Sequence, residues 1–458
     1  MSTVWNTYRI EDIADKITIG PFGSRMKSDA YVESGVPVIR GTNLTGSKKF
    51  SGDWVFISEQ LAKQLENCCV SNGDLVFPHR GSIGEVGLVD NQFHQYMMSS
   101  SLMKLRCNPN IADSEFIYYF FKSHQGRYEL LKNASQVGTP GIGQPLTSLK
   151  NIEIKLPSLG EQRKIAKILS DLDDKIHINN QINQTLESIA QALFKSWFVD
   201  FDPVRAKIAA KQEGKDPELA AMCAISGKSE AELKQMSEED FAELQATATL
   251  FPDELVESEL GEVPKGWELQ QFKDIAKYTS NKISLNDLTL ENYISTENML
   301  SEKKGIEKAS SLPKVNSVPA FKKGNILVSN IRPYFKKIWF SSSEGGHSND
   351  VLNFEVLEEG CEEYLYNLIY QDSFFDQMMA SSKGSKMPRG DKKAIMSFQV
   401  VIPSITLRRL YSRKVEKFYF KKNVIEKENQ ILKIIRDTLL PKLLSGEINV
   451  SSLKDKVE

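Results

Sequence analysis

Between Ser158 and Phe198, apolar residues recur in steps of four and three: Ile165, Leu169, Leu172 and Ile176, then Leu186, Ala190, Leu193 and Trp197. Asn179 and Asn183 stand in the same frame. A stripe this narrow, sustained for about five heptads, predicts one long helix with a coiled-coil seam. Ser158 followed by Glu161 supplies a capping box at its start. The frame returns 246 positions later at Tyr411, Val415, Phe418, Lys422, Ile425, Asn429, Leu432, Arg436, Leu439 and Leu443. At a rise of roughly 1.5 Å per residue each helix extends about 60 Å, a rod and not a core helix. Asn183 and Asn429 share a frame position, where a buried polar pair fixes register. Pro441 and the missing capping Glu after Ser404, where Leu407 stands, predict a shorter or kinked second rod.

Upstream of each rod the pattern changes to short β-type runs (Val36 to Ile39, Asp74 to Phe77, Ile152 to Leu156), loops rich in Gly, Ser and Asn, and a helical stretch from Ser114 to Leu131. These parts repeat as well. Trp5, Ile10, Asp12, Ile13 and Ala14 are echoed by Trp267, Phe272, Asp274, Ile275 and Ala276 at an offset of 262. Gly73-Asp-Leu-Val-Phe matches Gly324-Asn-Ile-Leu-Val at 251, and Phe116-Ile-Tyr-Tyr matches Tyr364-Leu-Tyr-Asn at 248. Ordered matches with a shrinking offset mark a duplication whose second copy carries small deletions. The predicted fold is α+β: two mixed α/β globules separated by two long antiparallel coiled-coil helices, with a pseudo-twofold internal repeat. The rods either pair with each other, the arrangement favoured here, or each seeks a partner in another chain. The expected boundaries are 1–157 and 264–403 for the globules and 158–200 and 404–446 for the helices. An acidic linker with short helices (Pro217 to Ala224, Ser229 to Gln245) fills 201–263, and 447–458 is a tail.

With 458 residues, 40% of them hydrophobic and 26% charged, the chain is long enough for two or three domains and has the makeup of a folded protein. No uncharged apolar run approaches the roughly 18 residues of a membrane span, and the N-terminus lacks a signal-like segment, so a cytoplasmic location is expected. Five scattered cysteines without a C-x-x-C pair are expected to be reduced thiols. The net charge of −2 hides an asymmetry: residues 200–263 hold 16 acids against 6 bases, leaving the remainder at +8. A mildly basic body is compatible with phosphate binding.

Catalytic patterns are missing. Gly138-Thr-Pro-Gly-Ile-Gly143 lacks the lysine of a phosphate loop, and neither Asn108-Pro-Asn nor Asp202-Pro-Val completes the [DN]-P-P-[YF] turn of adenine methylases. Pro252-Asp253 has no E-x-K beyond it for a nuclease centre. His79, His94, His124, His177 and His347 have neither metal-ligand spacing nor a G-x-S-x-G partner.

Several motifs carry a family resemblance: Gly20-Pro-Phe-Gly-Ser-Arg-Met-Lys27, Gly35-Val-Pro-Val-Ile-Arg-Gly-Thr-Asn-Leu44, Gly73-Asp-Leu-Val-Phe, Arg80-Gly-Ser-Ile-Gly84, Leu156-Pro-Ser-Leu-Gly-Glu-Gln-Arg163 and Phe194-Lys-Ser-Trp-Phe-Val-Asp-Phe-Asp-Pro-Val204. Together they resemble the specificity subunit of a type I restriction-modification system, over nearly the whole chain. The second half departs from the pattern, since no Gly-Pro-Phe-Gly-Ser run follows Ala276. The resemblance implies a non-catalytic protein with two target recognition domains on double-stranded DNA. Two methyltransferase subunits that methylate adenine would dock on the helices, and motor-nuclease subunits would join through them. No cofactor is expected in this chain; S-adenosylmethionine, ATP and Mg are expected on the partner subunits. The alternative is an enzyme with an unrecognised nuclease or methyltransferase centre.

Two different readers would recognise two different halves of a bipartite, asymmetric target. Base readers must be polar residues on glycine-bounded loops. In the first module these are Arg25, Lys27, Arg40, Asn43, His79, Arg80 and Gln144. In the second they are Asn298, Asn330, Arg332, Lys336, Lys337, Lys386, Arg389 and Lys392. Trp197, Phe198 and Phe201, at the end of the first rod, either pack internally or are the candidates for docking a partner helix.

Overall fold

The computed structural model describes residues 5–22, 25–44, 46–135, 138–384 and 386–450. Gly23 and Ser24 of the Gly20–Lys27 motif and residues 451–458 of the predicted tail lie outside them. The chain divides into two compact units, one made of residues 1–180 and 426–458, the other of 181–425. The division runs through both long helices, Leu159–Phe198 and Ile405–Leu444, so each unit contains part of each. Ser158 and Ser404 cap these helices: their hydroxyls accept from the backbone N–H of Glu161 and Leu407. Pro441 neither shortens nor ends the second helix, contrary to the sequence expectation. It stands in the last turn, where few main-chain bonds remain to be lost, and Gly446 in the left-handed region follows the helix end.

In the first unit a four-stranded antiparallel sheet has the order Ala14–Ile19, Leu102–Cys107, Leu75–Pro78, Gly87–Leu88. Asn6–Arg9 pairs with Glu153–Leu156. A second sheet of five short strands contains one parallel pair, Val36–Ile39 beside Tyr96–Met98. The predicted helix over 114–131 is two helices, Ser114–Lys122 and His124–Leu131. Ser123 interrupts it, its hydroxyl accepting from Gly126 N–H to cap the second. Their apolar faces join Ile165, Leu169 and Leu443 of the long helices in one core.

The second unit repeats the series. Its four-stranded sheet runs Ala276–Tyr278, Val351–Val356, Ile326–Ser329, Ile338–Phe340, and Glu268–Gln271 pairs with Gln399–Ile402. Tyr293–Ile294 lies parallel to Gly345–His347, and the helix pair is Glu362–Tyr370 and Asp372–Ala380. The acidic segment belongs to this unit. The stretch expected as one helix over 229–245 is split at Ser237, whose hydroxyl accepts from Asp240 N–H and starts a new helix, Glu238–Thr249. Ala221, Met222, Leu233, Leu244 and Ala248 give these helices a small core of their own.

Within each unit the two long helices are antiparallel. In the first, Arg436 donates to Asp173 (2.6 Å) and Asn179 to Asn429 (2.9 Å). In the second, Lys422 donates to Glu187 (3.0 Å) and the Tyr411 hydroxyl to the Ala190 carbonyl (2.9 Å). Every predicted stripe position is buried or half-buried. The polar layer differs from expectation: Asn429 joins Asn179 and Asn180, one turn before Asn183. Among the described residues no helix is long and apolar enough to cross a membrane. Cys69, Cys107 and Cys361 are buried, Cys68 and Cys223 half-buried, and all five are free thiols.

Candidate nucleic-acid interface

In each unit, loops at one end of the four-stranded sheet are tied together by main-chain bonds. In the first unit the turn Ser99–Ser101 anchors two of them. Ser101 carbonyl accepts from His79 N–H (2.8 Å), and the Gly20 N–H donates to the Leu102 carbonyl (2.8 Å). A Cβ on Gly20 would lie 2.1 Å from the Ser99 carbonyl oxygen, so this close approach requires glycine. The loop after Leu75–Pro78 then meets the Gly138–Gly143 loop: Gly81 N–H donates to Pro140 carbonyl and Ile142 N–H to His79 carbonyl, both at 2.9 Å. Arg80 bridges to Gly141 in this ladder. The Arg40–Asn43 turn adjoins the same loop, with the Cβ position of Gly41 3.7 Å from Ser82 Oγ.

The second unit builds the same tip with different side chains. Asn330 N–H donates to the Asp350 carbonyl (2.8 Å), Arg332 N–H to the Pro388 carbonyl (2.8 Å) and Gly390 N–H to the Asn330 carbonyl (3.4 Å). Ile331 bridges to Arg389. His79, Arg80 and Gly81 therefore correspond to Asn330, Ile331 and Arg332. Pro140, Gly141 and Ile142 correspond to Pro388, Arg389 and Gly390, and Ser101 to Asp350. Where the first unit has Gly81 in the left-handed region (φ 82°), the second places an arginine there, Arg332 (φ 50°). A side chain at such a backbone position stores strain.

The candidate readers separate into two groups. Arg25, Lys27, Arg80, Gln144, Lys386, Arg389 and Lys392 are exposed, and Arg332 is half-buried. Arg80 and Gln144 share the tip of the first unit; Arg332, Lys386, Arg389 and Lys392 share that of the second. Arg25 and Lys27 flank Met26, which is buried on the five-stranded sheet with Val38 and Ile57. The remaining candidates bond within the fold: Asn43, Asn298, His79 and Asn330 are buried, which corrects the expectation that these four read bases, whereas Arg40, Lys336 and Lys337 are half-buried. Asn43 is fully buried: its carbonyl accepts from Arg40 N–H, and its amide donates to the Ser51 and Asp53 carbonyls. Asn298 does the same in the second unit, with Ser295 N–H, Tyr293 carbonyl and Glu307 carbonyl. Arg40 donates to the Asp53 carbonyl (2.6 Å). His79 is buried with Nε2 3.1 Å from the Ser100 carbonyl, and burial holds its pKa below the usual histidine value. Its counterpart Asn330 is buried as well. Lys336 pairs with Asp372 (3.1 Å), and Lys337 donates to the Thr296 carbonyl (2.6 Å), its pKa lowered by burial.

Trp197, Phe198 and Phe201 are also corrected. They are buried in the second unit's core, so they are not available to dock a partner. Trp197 stacks edge-on to Phe251 (5.2 Å), Phe198 to Tyr411 (5.2 Å) and Phe201 to Trp267 (5.5 Å). Left-handed Phe201 turns the chain from the long helix into Asp202–Gln212. Sequence reasoning missed three exposed tip features. Phe22 is 71% exposed inside a motif that was singled out, Tyr334 lies between Arg332 and Lys336, and Asp350 takes the place of Ser101. For Asp350 no signal was present in the sequence, because its correspondence with Ser101 emerges only from the main-chain bonds. Among the described residues no group of three His, Cys, Asp or Glu side chains could hold a metal ion.

Comparison with known proteins decides the family. Residues 3–188 match the type I restriction modification DNA specificity domain. The chain is 34% identical to the type I restriction enzyme HindI specificity subunit of Haemophilus influenzae, over 97% of this chain and 99% of that one. This chain belongs to the type I restriction enzyme specificity subunits. It is also 25% identical to the MjaIX specificity subunit of Methanocaldococcus jannaschii, across 98% of this chain and 94% of that one. The fold of this specificity subunit is similar to that of the S subunit from M. genitalium, with a TM-score of 0.54 at 17% identity over 96% of each chain.

Proposed function

We propose that this specificity subunit is the DNA-reading component of a type I restriction-modification complex, without catalytic residues of its own, acting in the cytoplasm. Each unit reads one half of a bipartite, asymmetric double-stranded target. The long helices set the gap between the halves and dock two adenine methyltransferase subunits, through which motor-nuclease subunits join. S-adenosylmethionine, ATP and Mg are then held by those partners. The observation that carries the reading is the tip repeated with one set of main-chain bonds and two sets of side chains: Arg80, Gly81 and Gly141 in one unit, Ile331, Arg332 and Arg389 in the other. A shared scaffold with unlike tips is what two readers of unlike sequences require. Exposed Arg and Gln present donors to base edges, and exposed lysines such as Lys386 and Lys392 neutralise phosphates.

Exchanging residues 1–155 for the equivalent part of a related subunit tests this. Mapping methylated adenines in a host that also carries the methyltransferase should reveal one altered half-sequence and one unchanged. Changes in both halves, or in neither, would remove the modular claim. Label transfer or DNA cleavage by the purified chain alone, given Mg and labelled S-adenosylmethionine, would favour an enzyme instead.

A further inference from the structure

Arg389 is held at two points at the second unit's tip. Its backbone is fixed on both sides, the N–H donating to the Lys383 carbonyl (3.0 Å) and the carbonyl accepting from Lys383 N–H (2.9 Å), beside the bridge to Ile331. Its guanidinium is then steadied from a second loop. Nη2 lies 3.3 and 3.4 Å from the two carboxylate oxygens of Asp350, and both side chains remain about half exposed, at 51% and 43%. The Asp350 carbonyl meanwhile accepts from Asn330 N–H, so the carboxylate sits on a turn that is itself pinned. Nε and Nη1 have no partner among the described residues, leaving part of the donor fork open.

With its base fixed and one Nη2 hydrogen taken by a carboxylate, the guanidinium keeps a free edge, the other Nη2 hydrogen beside a neighbouring N–H, that is organised for a planar pair of acceptors. In the major groove that pair is guanine O6 and N7. Lys386 and Lys392, single charges on flexible stems, suit phosphates instead. At the corresponding places the first unit has Gly141 and Ser101, which offer neither the fork nor the carboxylate. We propose that Arg389, positioned by Asp350, reads one guanine in the half-target of the second unit, and that the first unit has no reader at the matching position. This rests on the reading of the tips as the DNA interface.

The test uses the full chain and a duplex carrying the target found by methylation mapping. Each guanine of the half assigned to residues 264–403 is replaced in turn by 7-deazaguanine, which lacks the N7 acceptor. Anisotropy titrations should find one position where the replacement weakens wild-type binding by about 5-fold or more, within the roughly 5- to 150-fold of a bidentate pair. Arg389→Ala should bind that duplex and the unmodified one equally. Arg389→Lys, which keeps the charge without the fork, should also lose the discrimination, and Asp350→Asn should reduce it at the same position. If Arg389→Ala weakens all duplexes alike and lowers the salt slope by about one, the residue is a phosphate contact. The guanine assignment then falls while the interface reading stands. If Arg389→Ala binds every duplex as wild type does, the assignment falls and the tip itself is not the interface.

Discussion

The two units carry one sheet topology on two different electrostatic plans. In the first, Asp74 bonds Arg106 through both carboxylate oxygens (2.6 and 2.7 Å) and lies 3.9 Å from Lys104. Lys104 is 2% exposed and donates to the Cys69 carbonyl (2.5 Å), with burial lowering its pKa. Strand register sets Asn325, Asn353 and Glu355 at the same three positions in the second unit. Asn325 keeps the turn made by its counterpart: its carbonyl accepts from Lys322 N–H (3.0 Å), as Asp74 accepts from Ser71 N–H (3.0 Å). Asn353 donates to Thr279 Oγ1 (2.7 Å) and the Ala320 carbonyl (3.0 Å), and Glu355 pairs outward with Lys277 and Lys322. A buried lysine in one unit is thus a neutral amide in the other. The main-chain ladder defines the scaffold; charges are interchangeable provided that each buried one has a partner.

The largest expected effect breaks this equivalence. Asp74→Asn preserves the turn but leaves Lys104 buried without its anion, at a cost of about 3–5 kcal/mol in chemical denaturation. Asn353→Leu, in the neutral counterpart, should cost only about 1–3 kcal/mol. Equal losses would mean that the ion group is not what holds the first sheet. Next, Asn429→Leu strips Asn179, which is 1% exposed, of a partner and should lower stability by about 1–3 kcal/mol. An unchanged midpoint would count against this layer as a register device. A smaller effect separates the tips. Arg332→Gly should raise stability by about 1 kcal/mol through relief of left-handed strain while weakening DNA binding, whereas Gly81→Arg should lower it by a similar amount. A Cβ at Gly81 meets nothing within 4 Å, so backbone strain is the only cost there.

A separate effect concerns pH. Burial, with Glu362 and Glu416 adding to it, pushes the Glu363 carboxyl from the usual 4.5 up to about 7. The folded state then holds a proton that the unfolded chain has released, so stability falls as pH rises from about 4.5 to above 7. Glu363→Gln should flatten that slope, seen as a smaller fall in melting temperature between pH 5 and pH 8, values chosen at roughly either side of the window.

Much of the fold was legible because it rests on periodicity. The heptad frame gave both long helices, and the repeat offsets gave the second unit as a divergent copy of the first. The tips were harder to read. Their equivalence spans three offsets, 251 for His79 to Asn330, 249 for Ser101 to Asp350 and 248 for Pro140 to Pro388, because deletions intervene, so only the main-chain bonds reveal it. Polarity alone also cannot tell whether a side chain points outward. Asn43 and Asn298 look like base readers in sequence, yet each is buried and uses its carbonyl and both amide hydrogens inside a turn. Trp197, Phe198 and Phe201 look like an exposed docking cluster until left-handed Phe201 folds the chain back over them. Arg80, Arg332 and Arg389 were recognisable because glycine or proline stands next to each, forcing a loop.

The most direct measurement is methylated-adenine mapping for a chain carrying Arg80→Ala and Gln144→Ala, expressed with its methyltransferase. Both changes lie at exposed positions of the first tip. Discrimination should relax at one or two positions of a single half-target, with the other half and the gap unchanged. Relaxation in both halves, or a site list identical to the parent's, would contradict independent reading by the two units.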